Sequence, residues 1–241
     1  LRFLSLDIDE LGAIRYKVSP LNSDATISFE PYLDASIKNK DSNWDDQFWD
    51  ITNIHRNSER SFIEAQTMKT TFKTCTFMQS NCFLNEQPLT LTSESVETNT
   101  TITDRYTQRV EKDAVFEIQK FGGYTVKRTH GDYLVQAANK VLDKVENQGF
   151  ESLLASQKQA WASIWNQADI LIEGDVKAQQ AIRFNIFQLN QTYLGTDPQL
   201  NIGPKGFTGE KYGGSTYWDT EAYCLPFYMA TKDHSVARKL L

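Results

Sequence analysis

Residues 133–145 read YLVQAANKVLDKV, and the hydrophobic pattern of the chain changes at this stretch. Within it, leucine, valine and alanine recur at steps of three and four residues, which is the spacing of one face of an α-helix. Before it, apolar and polar residues alternate, as they do in half-buried strands. The pattern therefore predicts an α+β multidomain fold: a β-rich first half, a helical connector and the beginning of an α-helical domain.

The first half contains several short runs that predict strands. Residues 14–18 and 25–29 alternate with a period of two, and residues 67–77 are rich in threonine and β-branched side chains. The runs 115–121 and 124–128 flank Gly122-Gly123, a pair that favours a hairpin turn. Short strands with turns between them predict an antiparallel β-sandwich, which we assign to residues 1–132.

An acidic insertion, NKDSNWDDQFW at residues 39–49, interrupts this β region. Its aromatic residues are Trp44, Phe48 and Trp49. Exposed tryptophans in a polar loop either contact a ligand or fix the loop against the protein's own body. The second role is the commoner one.

The second half reads as a series of helices. Gly149 is placed to end the first helix, and a second follows in which Trp161 and Trp165 lie one turn apart as packing residues. Asp175 is a candidate N-cap for a third helix. We assign residues 133–173 to a helical linker and residues 174–241 to the truncated start of the α-helical domain.

Composition excludes several classes of partner. The net charge is −6 and the pI about 5.2, without a basic block, which argues against nucleic acid and anionic membranes. No apolar run is long enough to span a bilayer. The odd set Cys75, Cys82 and Cys224 has no metal-binding spacing, so we expect a cytoplasmic protein. The histidines lie in unrelated contexts, and we expect no metal site.

The densest group of candidate functional residues is NIGPKGFTGEKYGGSTYWDTEAYCLPFY, residues 201–228. Its glycines permit positive φ angles or a close approach to a ligand. The aromatic and acidic residues at 217–221 suit a sugar, because an indole packs on the ring while a carboxylate accepts hydrogen bonds from hydroxyls. The alternative is a loop leading into a helix whose aromatics are simply core. A phosphate cradle is disfavoured, since the Walker spacing and a preceding strand are missing.

The pattern G-F-T-G-E-x-Y-x-G-x-x-Y-W-D-T-E at residues 206–221 resembles glycoside hydrolase family 65, a family of inverting disaccharide phosphorylases. The resemblance continues in FLSL (3–6), GAIRY (12–16) and DSNWD (41–45), and covers essentially the whole chain. It implies a β-sandwich, a helical linker and an (α/α)6 barrel, of which this chain would be an internal fragment with only the first barrel helices. The form YGGSTYWD is most similar to that of the maltose-specific members.

The resemblance also implies a mechanism. Phosphate, the co-substrate, attacks the anomeric carbon with inversion while a glutamic acid protonates the glycosidic oxygen, and no other cofactor is implied. Trp218 and Asp219 would bind the glucose unit, and the neighbours expected to support them are Tyr212, Gly213, Gly214, Tyr217 and Glu221. The general acid and the phosphate site are expected downstream, so we predict no catalytic residue in this chain, an inactive fragment and a homodimeric full-length enzyme.

Three alternatives remain open on the sequence. The parent could be a trehalose, kojibiose or nigerose phosphorylase of the same family. It could be a hydrolase of related fold, which would not depend on phosphate. It could also be a non-catalytic sugar-binding or scaffold module built around the sandwich.

Overall fold

The strands of this protein all precede Lys127, and its helices all follow Val126, within the residues that the structure describes. The structure is a computed structural model that describes residues 1–36, 47–203 and 217–241. The strands are β1 (Arg2–Leu4), β2 (Leu11–Val18), β3 (Ala25–Phe29), β4 (Tyr32–Asp34), β5 (Trp49–Asn57), β6 (Arg60–Thr67), β7 (Lys73–Leu84), β8 (Gln87–Leu89), β9 (Glu94–Glu97), β10 (Thr101–Val110) and β11 (Phe116–Val126). The predicted order of a β region followed by helices is confirmed.

The strands form two antiparallel sheets. The larger has the order β1-β2-β11-β7-β6-β5, with β8 paired to β7. The smaller has the order β3-β10-β4, with β9 paired to β10. The core between them contains Phe29 and Tyr106 from the smaller sheet and Phe116 from the larger. This confirms the predicted antiparallel sandwich.

A helix covers the other face of the larger sheet. Helix α2 (Leu134–Ala168) follows the short α1 (Lys127–His130), and its apolar stripe packs on this face. Phe62 and Phe77 of the sheet belong to the same buried cluster as Leu142 of the helix. Because both faces of the sheet are covered, its central strand β7 is buried on both sides and shows little alternation.

The predicted hairpin at Gly122-Gly123 is wrong, because β11 runs without interruption from Phe116 to Val126. The two glycines serve close approach instead. A Cβ on Gly123 would lie 1.6 Å from the carbonyl oxygen of Glu10, and one on Gly122 would lie 2.9 Å from that of Phe77. Glycine inside a strand often marks such a contact with neighbouring backbone.

The predicted strand at residues 67–77 is also wrong as one element, since β6 ends at Thr67 and β7 begins at Lys73. Threonine hydroxyls make the turn between them. The Thr67 hydroxyl lies 2.5 Å from that of Thr70 and accepts the Phe72 N–H at 2.9 Å. Side chains that bond locally to the backbone compete with strand pairing in this way.

The helix boundaries agree better with the sequence. Gly149 interrupts α2 with non-helical angles (φ 71°, ψ 166°), as predicted. Asp175 caps α3 (Val176–Thr192) by accepting the N–H groups of Lys177 and Ala178, both at 3.0 Å. Helices α4 (Leu225–Thr231) and α5 (His234–Leu240) follow. The domain boundaries at 132 and 173 stay predictions.

The described residues form two compact units, one up to Lys158 and one from Gln159 onward. Among the helices described, none is long and apolar enough to cross a membrane.

Arg60 fastens α2 to the larger sheet. From β6 it reaches Asp143 Oδ1 with Nη2 at 2.8 Å, Glu146 Oε1 with Nη2 at 3.1 Å and Asn139 Oδ1 with Nη1 at 2.8 Å. Only 16% of its side chain is exposed. A single guanidinium therefore joins three side chains of the helix to one strand.

Candidate sugar-binding site

A π-helical turn, Thr220–Cys224, organises the described end of the glycine-rich segment. It follows Asp219 directly and continues into α4, which has Pro226 in its first turn, where proline is tolerated. The Leu225 N–H bonds the carbonyl of Thr220, which closes the wider turn. Such turns occur frequently at functional sites.

The aromatic residues of this turn divide into an exposed and a buried set. Trp218 is 68% exposed and Tyr223 is 70% exposed, and their ring centroids lie 5.9 Å apart. Tyr228, one turn further along, is fully buried. The core alternative therefore describes Tyr228 but not Trp218, most of whose surface is exposed in this chain.

The carboxylates lie on the same turn. Asp219 is partly buried, Glu221 is exposed, and Tyr217 precedes the pair. Trp218 and Asp219 are thus adjacent in the chain at the start of one helical segment. This combination can hold a sugar by stacking and by charge-assisted hydrogen bonds from its hydroxyls.

Several predicted residues lie outside the described part of the chain. They are Tyr212, Gly213 and Gly214 of the glycine-rich segment and Trp44 of the acidic insertion. Of the insertion, Phe48 and Trp49 are described, and Trp49 contacts the ring of Phe72 edge-on at 6.5 Å between centroids.

A small hydrophobic core packs behind the π-helical turn. Tyr193 and Tyr228 meet edge-on with ring centroids 5.6 Å apart, and the Tyr228 hydroxyl donates to the carbonyl of Leu189 at 2.7 Å. Ile202 belongs to the same cluster. The Thr220 hydroxyl donates to the carbonyl of Ile202 at 2.6 Å. The residues on both sides of 204–216 are therefore anchored in one place.

The charge of Asp219 affects the pKa of the Cys224 thiol. Burial raises the pKa of Cys224, and the negative charge of Asp219 raises it further. Burial likewise raises the pKa of the Tyr228 hydroxyl. Both groups are therefore protonated near neutral pH.

Sequence reasoning missed Thr220 and Tyr223. In an α-helix, neighbours on one face are three or four residues apart, whereas Trp218 and Tyr223 are five apart. The π-helical turn brings the two rings together. The sequence contains no pattern that predicts such a turn. The bond from Thr220 links positions 18 residues apart, which periodicity cannot reveal.

No group of three or more histidine, cysteine, aspartate or glutamate side chains is placed to hold a metal ion within residues 1–36, 47–203 and 217–241.

Comparison with known families gives two matches along the chain. Residues 1–164 match the model "Glycosyl hydrolase family 65, N-terminal domain". Residues 183–241 match "Glycosyl hydrolase family 65 central catalytic domain".

Individual relatives give the same picture. The chain is 40% identical over 241 residues to "Maltose phosphorylase" of Bacillus subtilis (strain 168), covering 100% of this chain and 31% of that protein. It is 30% identical over 240 residues to "Alpha,alpha-trehalose phosphorylase" of Thermoanaerobacter brockii, covering 96% of this chain and 30% of that protein.

A solved structure, "Putative kojibiose phosphorylase from human microbiome", superposes with a TM-score of 0.84 at 25% identity, covering 99% of this chain and 30% of that one. The chain therefore spans about a third of the length of the relatives it matches. Because the two family models match residues 1–164 and 183–241, the chain belongs to glycosyl hydrolase family 65, and its last helices are the start of an (α/α)6 barrel.

Proposed function

We propose that the protein containing this chain catalyses inverting phosphorolysis of an α-linked glucose disaccharide, with maltose as the first candidate. The products would be β-glucose 1-phosphate and glucose. The observation that carries this proposal is the 40% identity to a maltose phosphorylase over all 241 residues. The identity to a trehalose phosphorylase, 30% over 240 residues, supports the reaction class and makes trehalose a second substrate to test.

In this reaction an oxygen of phosphate bonds to the anomeric carbon as the glycosidic C–O bond breaks. A carboxylic acid gives its proton to the departing sugar oxygen. Phosphate is already an anionic nucleophile, so one catalytic carboxyl is enough, whereas an inverting hydrolase needs a second as base for water. We place neither the acid nor the phosphate site within these 241 residues.

The role proposed for this chain is recognition of the glucose unit. The exposed Trp218 ring would wall the subsite, and Asp219 would accept hydrogen bonds from sugar hydroxyls. Tyr217 and Glu221 would support them from the same turn. Tyr212, Gly213 and Gly214 are proposed to complete the subsite on the strength of the sequence resemblance alone.

The test is an assay of the full-length protein with maltose, trehalose, kojibiose and nigerose, each with and without inorganic phosphate. We expect phosphate-dependent release of glucose 1-phosphate, fastest with maltose. A preference for another disaccharide would correct the substrate and keep the reaction. Turnover without phosphate would indicate a hydrolase, and binding without turnover would indicate a non-catalytic module.

The proposal extends to the whole protein. We propose a cytoplasmic homodimer, with the sandwich at residues 1–132, the linker at 133–173 and the barrel from 174 onward. Light scattering of the full-length protein would measure its oligomeric state.

A further inference from the structure

We propose that Thr220 is a positioning residue of this site, one that holds Trp218 and Asp219 in place by fixing the backbone that follows them. The proposal rests on the sugar-binding role proposed above and adds a residue that does not itself contact the sugar. The hydrogen bond from its hydroxyl to the carbonyl of Ile202 is what fixes this backbone.

The bond differs from those of other helical threonines in this chain. The Thr231 hydroxyl donates at 2.8 Å to the carbonyl of Phe227, four residues earlier, and Thr192 does the same to Gln188. These are ordinary bonds within a helix. Thr220 instead donates at 2.6 Å to Ile202, 18 residues earlier in the chain. It therefore makes a tertiary link across the segment that includes Trp218 and Asp219.

Thr220 is held through its main chain as well. Its carbonyl accepts the Leu225 N–H of the π-helical turn, and its N–H donates to the carbonyl of Tyr217 at 3.1 Å. Only 3% of the residue is exposed. Hydroxyl, N–H and carbonyl are thus all engaged, which leaves this residue little freedom to move.

The two residues before Thr220 need such a fixed point. The Trp218 side chain is mostly exposed, so packing within this unit does little to hold it. Asp219 makes no side-chain bond that caps the turn. Their positions therefore depend on the backbone, and a displacement of about 1 Å at a binding site can cost about 100-fold in activity.

The experiment compares four variants of the full-length protein. Thr220→Val replaces the hydroxyl with a methyl group of similar size and leaves the buried Ile202 carbonyl without its donor. Thr220→Ser keeps the hydroxyl and loses only the methyl, whereas Thr220→Ala loses both. Thr231→Val is the matched control, because it removes a hydroxyl-to-carbonyl bond of similar length from the neighbouring helix.

The measurements are KM and kcat for the disaccharide at saturating phosphate, together with the melting temperature. Thr220→Val and Thr220→Ala should each lower kcat/KM by about tenfold or more, chiefly through a higher KM, since sugar contacts are weakened. Thr220→Ser should stay within about threefold of wild type, as should Thr231→Val.

Each other outcome has a definite meaning. If Thr220→Val and Thr231→Val lower the melting temperature alike and leave KM unchanged, Thr220 has a structural role only and the positioning role is wrong. If Thr220→Ser lowers kcat/KM as much as Thr220→Ala does, the hydroxyl is not the group that positions the site. If the folded wild type turns over no disaccharide with phosphate, the proposed function fails, and the positioning role fails with it.

Discussion

At the scale of single residues, Asp219 stands between an exposed tryptophan and a buried threonine, and this position determines what its substitution would do. Asp219→Ala in the full-length protein should lower kcat/KM for maltose by about 100-fold or more, because charge-assisted bonds to sugar hydroxyls would be lost. Folding should be little affected, since the side chain makes no capping bond. Steady-state kinetics and a thermal melt would measure both effects.

The control for this prediction is Asp219→Asn, which keeps the shape and removes the charge. It should lie between wild type and Asp219→Ala in kcat/KM. Near-normal kinetics in both variants would show that Asp219 is not a sugar contact.

Arg60 is expected to stabilise the fold because its guanidinium contacts several side chains at once. Arg60→Met should lower the free energy of unfolding by about 1–3 kcal/mol, because three charge-assisted contacts to α2 would be lost from a mostly buried guanidinium. Arg105→Met is the matched control. Among the described residues, Arg105 forms an ion pair with Glu30 at 2.8 Å, and both side chains are about half exposed.

Urea unfolding of the two variants would measure the difference. Arg105→Met should change the free energy of unfolding by less than about 1 kcal/mol, the usual range for an exposed pair. Equal losses would contradict the role given to Arg60 in fastening the helix.

The residues that sequence reasoning identified correctly act over short distances. Asp175 caps a helix that begins at the next residue, and Gly149 breaks one by its own backbone angles. Thr220 and Tyr223 were missed because their contacts depend on a π-helical turn and on a chain segment 18 residues away. The cap at Asp175 and the break at Gly149 could be predicted, and the contacts of Thr220 and Tyr223 could not.

At the scale of elements, β11 depends on two glycines that admit neighbouring backbone. Gly123→Ala should be strongly destabilising, by about 3 kcal/mol or more, because the new methyl would overlap the Glu10 carbonyl at 1.6 Å. Gly122→Ala should cost less, since its closest contact, the Phe77 carbonyl, is 2.9 Å away. Thermal melts of the two variants would measure the order, and the reverse order would contradict the packing described for β11.

The same glycines explain why one element was predicted wrongly. A Gly-Gly pair between apolar runs favours a hairpin on local grounds. In the sheet, however, β11 lies between β2 and β7, and the pair is needed where the carbonyls of Phe77 and Glu10 approach Gly122 and Gly123 closely. At residues 67–71 the error was the reverse: a strand was predicted and a turn was found. The β-branched threonines favour a strand, but their hydroxyls here close a turn.

An ion pair joins Asp169, the residue after α2, to Arg183 of α3. Arg183 donates from Nε to Asp169 Oδ1 at 2.9 Å and from Nη2 to Oδ2 at 2.6 Å, and these bonds lower the pKa of Asp169. A carboxyl whose pKa is lowered by folding stabilises the fold above its unfolded value and stops doing so as pH falls through the folded value. The contribution should therefore be present near neutrality and vanish in acid below the ordinary pKa of 3.8.

Asp169→Asn tests this dependence. The variant should be less stable than wild type at about pH 6, and the difference should shrink as the pH is lowered to about 3. Urea unfolding at a series of pH values would measure it. A difference that stays constant with pH would show that the charge of Asp169 has no part in it.

At the scale of the whole molecule, sandwich and helices follow the order that periodicity predicted, and the family matches cover both parts. Because we place the general acid and the phosphate site outside these residues, the 241 residues alone should release no glucose 1-phosphate from maltose and phosphate, while the full-length protein should. The reaction can also be followed in the synthetic direction, by measuring the phosphate released when β-glucose 1-phosphate and glucose are supplied. Activity of the isolated chain would refute that placement.

The three thiols give this molecule a built-in labelling site. Burial raises the pKa of Cys75 and of Cys82 to about 12, so neither should react with an alkylating dye while the protein is folded. Cys224 is only partly buried, and it lies at the end of the turn that begins after Asp219. A fluorophore attached there, at a pH high enough to ionise a thiol whose pKa is also raised, would lie beside the proposed sugar site and should report its occupation.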